Sequence, residues 1–139
     1  DLVTLCRSEA ERAGDLAPHL TVRCEPETAI VKVSADAAAV REALANLLDN
    51  ARRHAATSIT VRVDGDAATA RVVVHDDGPG LPPEAATHAF ERFASLDGRG
   101  GSGLGLPIAR GVARAHGGDL HHDAAEGFVL RLPRSGQPA

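Results

Sequence analysis

Residues 41–55, REALANLLDNARRHA, decide how the rest of the chain is read. At about 100° per residue, Val40, Leu44, Leu47 and Ala51 fall in one narrow stripe, the spacing of a helix packed on a core. Glu42, Asn46, Asn50 and Arg53 fall roughly opposite. Asn is a poor residue for a helix interior, because its short amide competes for backbone hydrogen bonds. Two Asn one turn apart, with a carboxylate before and an Arg after, imply a polar object against this helix. The plain alternative is a face that meets only water, although Glu, Lys or Arg would serve there better.

Working outward, Ser34 or Asp36 can cap this helix, which should run to about Ala55. Upstream, residues 1–14 carry Leu2, Leu5, Glu9 and Arg12 at helical spacing and reach Gly14, a natural stop. LTVRCEP (20–26) and AIVKVS (29–34) alternate as two short strands, with a turn at Pro26, Glu27 and Thr28. Downstream, SITVRVDG (58–65) and ATARVVVHD (68–76) are strands joined by a tight turn at Asp64, Gly65 and Asp66. A short helix over 83–93 is expected, then a glycine-rich mobile loop over 94–103. Residues 104–118 form an amphipathic helix with Leu104, Ile108, Val112 and Ala115 as its stripe, ended by Gly117 and Gly118. A hairpin, GDLHH then EGFVLRLP, closes the fold, and residues 134–139 form a flexible tail.

The chain has 139 residues, which suits one domain, here read as α+β with a helical layer on one sheet. Aromatic residues make up 2%, so the core must be built from Ala, Val and Leu. A net charge of -4 with no basic run excludes a nucleic-acid footprint. Cys6 and Cys24 have neither metal-ligand spacing nor disulfide-scaffold density, which favours a reduced, cytoplasmic setting. No apolar run approaches the ~20 residues needed to span a bilayer. The only lysine, Lys32, follows no glycine-rich loop, so a GxxxxGK[ST] phosphate loop is excluded. An HRD-type catalytic loop and a DFG motif are also missing, which excludes a eukaryotic-type protein kinase.

Three stretches can carry chemistry. In DDGPG (76–80), Asp76 ends a strand on the same face as Val72 and Val74. A carboxylate there needs a donor, such as the exocyclic amine of a purine. Gly78 and Gly80 let the backbone turn and approach a flat ligand. In GGSGLGL (100–106), glycines before a helix expose N–H groups at the positive end of its dipole, which suits phosphate. The third stretch is the opening helix, where an Asn oxygen can ligate Mg²⁺ and Arg53 can neutralise a phosphate.

In this order NLLDNARRHA, DDGPGL, FERF, GSGLGLPIAR and AHGGDL resemble the N box, first glycine box, F box, second glycine box and closing glycine turn of bacterial sensor histidine kinases. The resemblance is to their catalytic ATP-binding domain, whose Bergerat fold is shared with gyrase, Hsp90 and MutL, and it covers roughly residues 34–133. It implies a two-layer α/β sandwich: a mixed, mainly antiparallel sheet of about five strands on about three helices. Residues 1–18 would be a helix or linker from a preceding domain, and 94–103 an ATP lid. The chain opens abruptly in a helix, as an excised piece of something longer would.

The resemblance also implies roles. Asn50 would be the Mg²⁺ ligand, with Asn46 beside metal and phosphates; Arg53 would face phosphate and His54 the nucleotide. Asp76 would accept from the adenine amino group, with Gly78 in its turn and Gly80 against the base. Arg92 or Arg99 would reach the phosphates on lid closure, and Gly101, Ser102, Gly103, Leu104 and Gly105 would line the triphosphate. Asn46, Asn50 and Arg53 would be the catalytic set, and Glu42 is read as solvated or Arg-paired. Asp77 stands where the family often has Asn, the loop from Phe93 to Gly101 is short, and the closing hairpin is abbreviated.

The implied activity is transfer of the ATP γ-phosphoryl group to a histidine on a separate helical dimerisation domain, with a response regulator downstream. None of His19, His54, His75, His88, His116, His121 and His122 has the HExxTP-like context of that acceptor. The fragment would be a cytoplasmic monomer without membrane contact of its own, its parent anchored in the membrane. An anti-sigma-factor serine kinase of the same fold, or an idle nucleotide-binding module, are the alternatives.

Overall fold

The computed structural model describes residues 1–27, 31–79, 90 and 105–134. Its elements are α1 (Leu2–Leu16), β1 (Thr21–Pro26), α2 (Ala37–His54), β2 (Ser58–Gly65), β3 (Thr69–Asp76), α3 (Gly105–Ala115), β4 (Asp119–Asp123) and β5 (Gly127–Pro133). The strands form one sheet in the order β1-β2-β3-β5-β4. β1 pairs with β2 in parallel; every other pairing is antiparallel. This is the mixed, mainly antiparallel sheet expected, with its helices on one side.

The core follows from strand alternation. Ile59, Val61 and Val63 of β2, Ala70, Val72 and Val74 of β3, and Phe128, Leu130 and Leu132 of β5 point to the helices. They meet Val40, Ala43, Leu44, Leu47, Leu48 and Ala51 of α2. α1 adds Leu2, Val3, Cys6, Ala10 and Ala13 to the same core. Burial pushes the Cys6 thiol well above its ordinary range, so it behaves as a small apolar side chain. Glu9 is also buried; its carboxylate pairs with Arg12 at 2.8 Å and approaches Arg41 of α2 at 3.8 Å.

Three expectations need correction. α1 does not stop at Gly14 but reaches Leu16, ending where Pro18 forces its predecessor, Ala17, out of the helical region. Of the expected second strand, residues 31–34 are described, and they do not pair with β1. The chain continues along β2 beyond Pro26, with the Glu27 N–H donating to the Val63 carbonyl at 2.8 Å. The Val31 backbone is taken by the start of α1: its carbonyl accepts from the Leu2 N–H at 2.7 Å and its N–H donates to Asp1 Oδ1 at 3.1 Å. Val33 makes a single bridge, to Arg134. Arg134 is therefore no part of a free tail, and its guanidinium also donates to the Asp66 carbonyl.

The third correction concerns α3. Leu106, Ala109 and Ala113 are its buried residues, Val112 is partly buried, and Ile108 is 42% exposed. Ala115 is exposed as well. Small residues bring the α3 backbone close to α2, and the bulkier ones are displaced to the flank. α3 ends as expected: Gly117 has φ +81°, and the N–H groups of Gly118 and Gly117 donate to the carbonyls of Ala113 and Arg114. His116 fixes this end to α2. Its Nδ1 lies 2.8 Å from the Val112 carbonyl, and its Nε2 accepts from the N–H of Asp36, the α2 N-cap. Apart from Phe90, the expected helix over 83–93 lies outside the described residues, as do the loop over 94–103 and residues 135–139.

Candidate nucleotide site

α2 and β3 end beside each other and open a cavity of about 350 Å³. Asn50, His54, Asp76, Gly78, Pro79, His122 and Phe128 are among its lining residues. Asn50 was expected to point away from the apolar stripe, yet it is buried. The helical wheel explains this: Asn50 lies about 90° from the centre of the stripe, next to buried Ala43, and so borders the core instead of opposing it. Its carboxamide makes no hydrogen bond among the described residues; its carbonyl, 2.7 Å from His54 Nδ1, orients that imidazole.

Asn46, one turn earlier, packs against the N-terminus of α3. A Cβ on Gly105 would lie 3.6 Å from Asn46 Oδ1, in ordinary contact. Asn46 Nδ2 is buried with no hydrogen-bond partner among the described residues. A buried donor of this kind calls for an acceptor, and the positive end of a helix beside it selects an anionic one. Glu42 and Arg53 are exposed, and Arg53 does not line the cavity.

At the other end, Asp76 Oδ1 accepts from the Gly78 N–H at 2.9 Å, leaving Oδ2 for a ligand. Gly78 has no alternative: a Cβ there would stand 1.9 Å from the His54 carbonyl oxygen. Asp77, which stands where the family often has Asn, has a structural part of its own. Its carboxylate accepts from the N–H groups of Ala56, Thr57 and Ser58 and from the Thr57 hydroxyl. Those donors hold its carboxyl far below the usual carboxylate range. Asp77 thus fastens the first glycine turn to the loop leaving α2.

Sequence reasoning did not place His122 or Phe128 in the nucleotide site. The signal was present, since alternation in the closing hairpin puts Leu120 and His122, with Phe128 and Leu130, on the core face. Of the expected site residues, the structure brings Asn50, His54, Asp76 and Gly78 together and sets Asn46 and Gly105 beside each other. Gly80, Arg92, Arg99, Gly101, Ser102, Gly103 and Leu104 lie outside the described residues.

Residues 35–136 match the family described as histidine kinase-, DNA gyrase B- and HSP90-like ATPase. The chain belongs to that family. It is 41% identical over 103 residues to the signal transduction histidine-protein kinase AfsQ2 of Streptomyces coelicolor, covering 68% of this chain and 19% of that protein. The fold superposes on the mycobacterial sensor histidine kinase MprB with a TM-score of 0.83 and 29% identity, over 99% of this chain and 98% of that one. It also matches full-length ShkA in complex with AMPPNP, with a TM-score of 0.86 and 26% identity over 100% of this chain and 31% of that one. The chain is therefore a histidine-kinase ATP-binding catalytic domain with the Bergerat fold. It spans only a fraction of the sensor kinases it resembles.

Proposed function

We propose that this domain binds Mg·ATP in the α2–β3 cavity and transfers the γ-phosphoryl group to a histidine carried by a separate helical dimerisation domain. The observation that carries the reading is the meeting of Asn50 and Asp76 in one cavity, from elements far apart in sequence. The Asp76 carboxylate is assigned to the adenine amino group, with Gly78 in its turn, Gly80 against the base and His54 beside the nucleotide. Asn50 offers a hard oxygen that suits Mg²⁺, and the unpartnered Asn46 amide suits a phosphate oxygen. Bound there, Mg²⁺ would neutralise charge on the β- and γ-phosphate oxygens. Arg53, Arg92 and Arg99 are assigned to the phosphates, as are the backbone N–H groups of 101–105, at the lid over 94–103.

In the transfer, the unprotonated nitrogen of the acceptor imidazole attacks the γ-phosphorus. A nitrogen–phosphorus bond forms, the bond to the β,γ-bridging oxygen breaks, and ADP leaves. The domain needs no nucleophile of its own, because such catalysis is mostly positioning and charge stabilisation. A response regulator downstream and a cytoplasmic location belong to the same reading; among the described residues no helix is long and apolar enough to cross a membrane. The test supplies the chain, with Mg²⁺ and γ-labelled ATP, to a purified helical domain bearing an HExxTP-type histidine and, separately, to a serine-bearing anti-sigma antagonist. Alkali-stable, acid-labile label on the helical domain alone is expected. Label on the antagonist, or on this chain by itself, would contradict the assignment.

A further inference from the structure

One wall of the cavity is titratable. His122 of β4 is in register with Phe128 of β5, and Phe128 with Val74 of β3. His122 therefore shares a sheet face with Asp76, two residues beyond Val74. The imidazole packs edge-on against the Phe128 ring, with centroids 4.9 Å apart and planes at 64°, and both residues line the cavity with Asp76 and His54. Phe128 is in turn braced by Phe90, edge-on at 5.9 Å, beneath the Arg110 guanidinium.

Resting on the nucleotide reading of this cavity, we propose that His122 is a base-pocket residue that must be neutral for a purine to enter, so that a proton on His122 and a bound nucleotide exclude one another. The argument is one of acceptors and water. A purine in the cavity strips water from the imidazole, and an imidazolium so stripped is costly unless it is paired. The carboxylate that shares this cavity wall is Asp76, whose Oδ1 is already taken by the Gly78 N–H. Oδ2 is the oxygen with no donor among the described residues, and an imidazolium and an adenine amino group would compete for it.

The surrounding charges agree with this balance. Burial pushes the His122 imidazole toward its neutral form, the carboxylates of Asp123 and Asp76 pull the other way, and His121 adds to the first effect. His121 lies on the opposite sheet face by alternation; His75, although exposed, also reaches the rim of the cavity, with its Nδ1 at the Glu126 carbonyl. Glu126 itself is paired with Arg62 and Arg71, and Arg110 with Asp119. From α2, His54 faces the cavity with its Nδ1 at the Asn50 carbonyl. Protonation of His122 thus lowers affinity, and bound nucleotide holds the imidazole neutral.

The experiment measures binding of adenosine, and of a non-hydrolysable ATP analogue with Mg²⁺, by calorimetry from pH 7.5 down to 5.0. Adenosine carries no phosphate to titrate in that window. The native chain should lose about threefold or more in adenosine affinity on acidification, with proton release on binding, by the linkage of one site. His122→Leu should flatten that dependence for both ligands relative to the native chain. His122→Gln, which keeps a polar group of similar reach, should flatten it too. Should either variant fold poorly, the His122 ring resonance of the native chain is decisive, because adenosine must shift its titration to lower pH. Retention of the full pH dependence in His122→Leu would overturn the proposal, and its loss in His54→Gln or His75→Gln would say which of the other two imidazoles at the cavity carries the proton. Tight but pH-independent binding by the native chain would overturn it while leaving the nucleotide reading intact. Absence of binding at pH 7.5 would remove both.

Discussion

Gly78 and Gly105, the two described glycines of the glycine-rich stretches packed against α2, are held to different standards by the fold. At Gly78 a side chain would meet the His54 carbonyl at 1.9 Å and Asp76 Oδ1 at 2.9 Å, so the turn is packed directly on the end of α2. At Gly105 the nearest atoms to an added Cβ, among the described residues, are those of the Asn46 side chain, at 3.6–3.7 Å, an ordinary contact. The first glycine is a requirement of the empty protein. Among the described residues nothing imposes the second, which leaves what binds there to require it.

The largest effect should therefore follow Gly78→Ala. The methyl group cannot be accommodated without moving backbone, at a cost of about 1–3 kcal/mol or more in stability. Nucleotide affinity should fall by over tenfold as Asp76 is displaced. Chemical denaturation and calorimetry on the same preparation check both, and a native-like midpoint would show the turn to be looser than its geometry.

Next in size is Asp77, which fastens the same turn from the other side. Asp77→Ala should lower Tm by a few degrees, whereas Asp77→Asn, which keeps an acceptor oxygen, should lower it less. The sign of the pH effect is set by the depressed carboxyl. Its stabilisation is fully present above the unfolded value, near 4, and is lost as pH falls toward the folded one. Acid thermal melts of the native chain should thus converge on those of Asp77→Asn below about pH 4, and parallel curves would dissociate Asp77 from the acid response.

The smallest effect is expected at Gly105→Ala. An ordinary contact for the methyl and the better helix propensity of Ala should leave stability within about 1 kcal/mol of the native chain. A loss confined to ATP affinity would show that phosphates approach this backbone; a loss of stability would erase the contrast between the two glycines.

Much of this was legible in the sequence, and what escaped has identifiable causes. Period-two alternation located β2, β3 and the closing hairpin, and Asp36, Gly117 and Gly118 marked helix ends that the chain uses. Residues 29–34 alternate as a strand would, but pairing is a competition, and α1 claims Val31 first. In α3 the bulky stripe misled, because close helix packing favours Ala109 and Ala113 over Ile108. In the site, Asn50 and Asp76 stood out because both are awkward where they occur. His122 did not, because an imidazole in a half-buried hairpin is unremarkable until the opposite wall of the cavity is known. Asp77 was hidden by its neighbour: two adjacent aspartates on a strand end face opposite ways, one toward the cavity and one toward the backbone of residues 56–58.

The central claim, that one cavity holds the base at Asp76 and the metal at Asn50, is tested most directly by titrating ATP, with and without Mg²⁺, into the native chain, Asn50→Ala and Asp76→Ala, with inorganic triphosphate as the second ligand. Asn50→Ala should lose about 5–150-fold in affinity with Mg²⁺ present, the ~1–3 kcal/mol of one buried ligand or hydrogen bond, and little without it. Asp76→Ala should weaken ATP by a comparable factor and leave triphosphate nearly unchanged. Equal losses for both ligands in Asp76→Ala, or an Mg²⁺-dependent affinity that survives Asn50→Ala, would contradict the account.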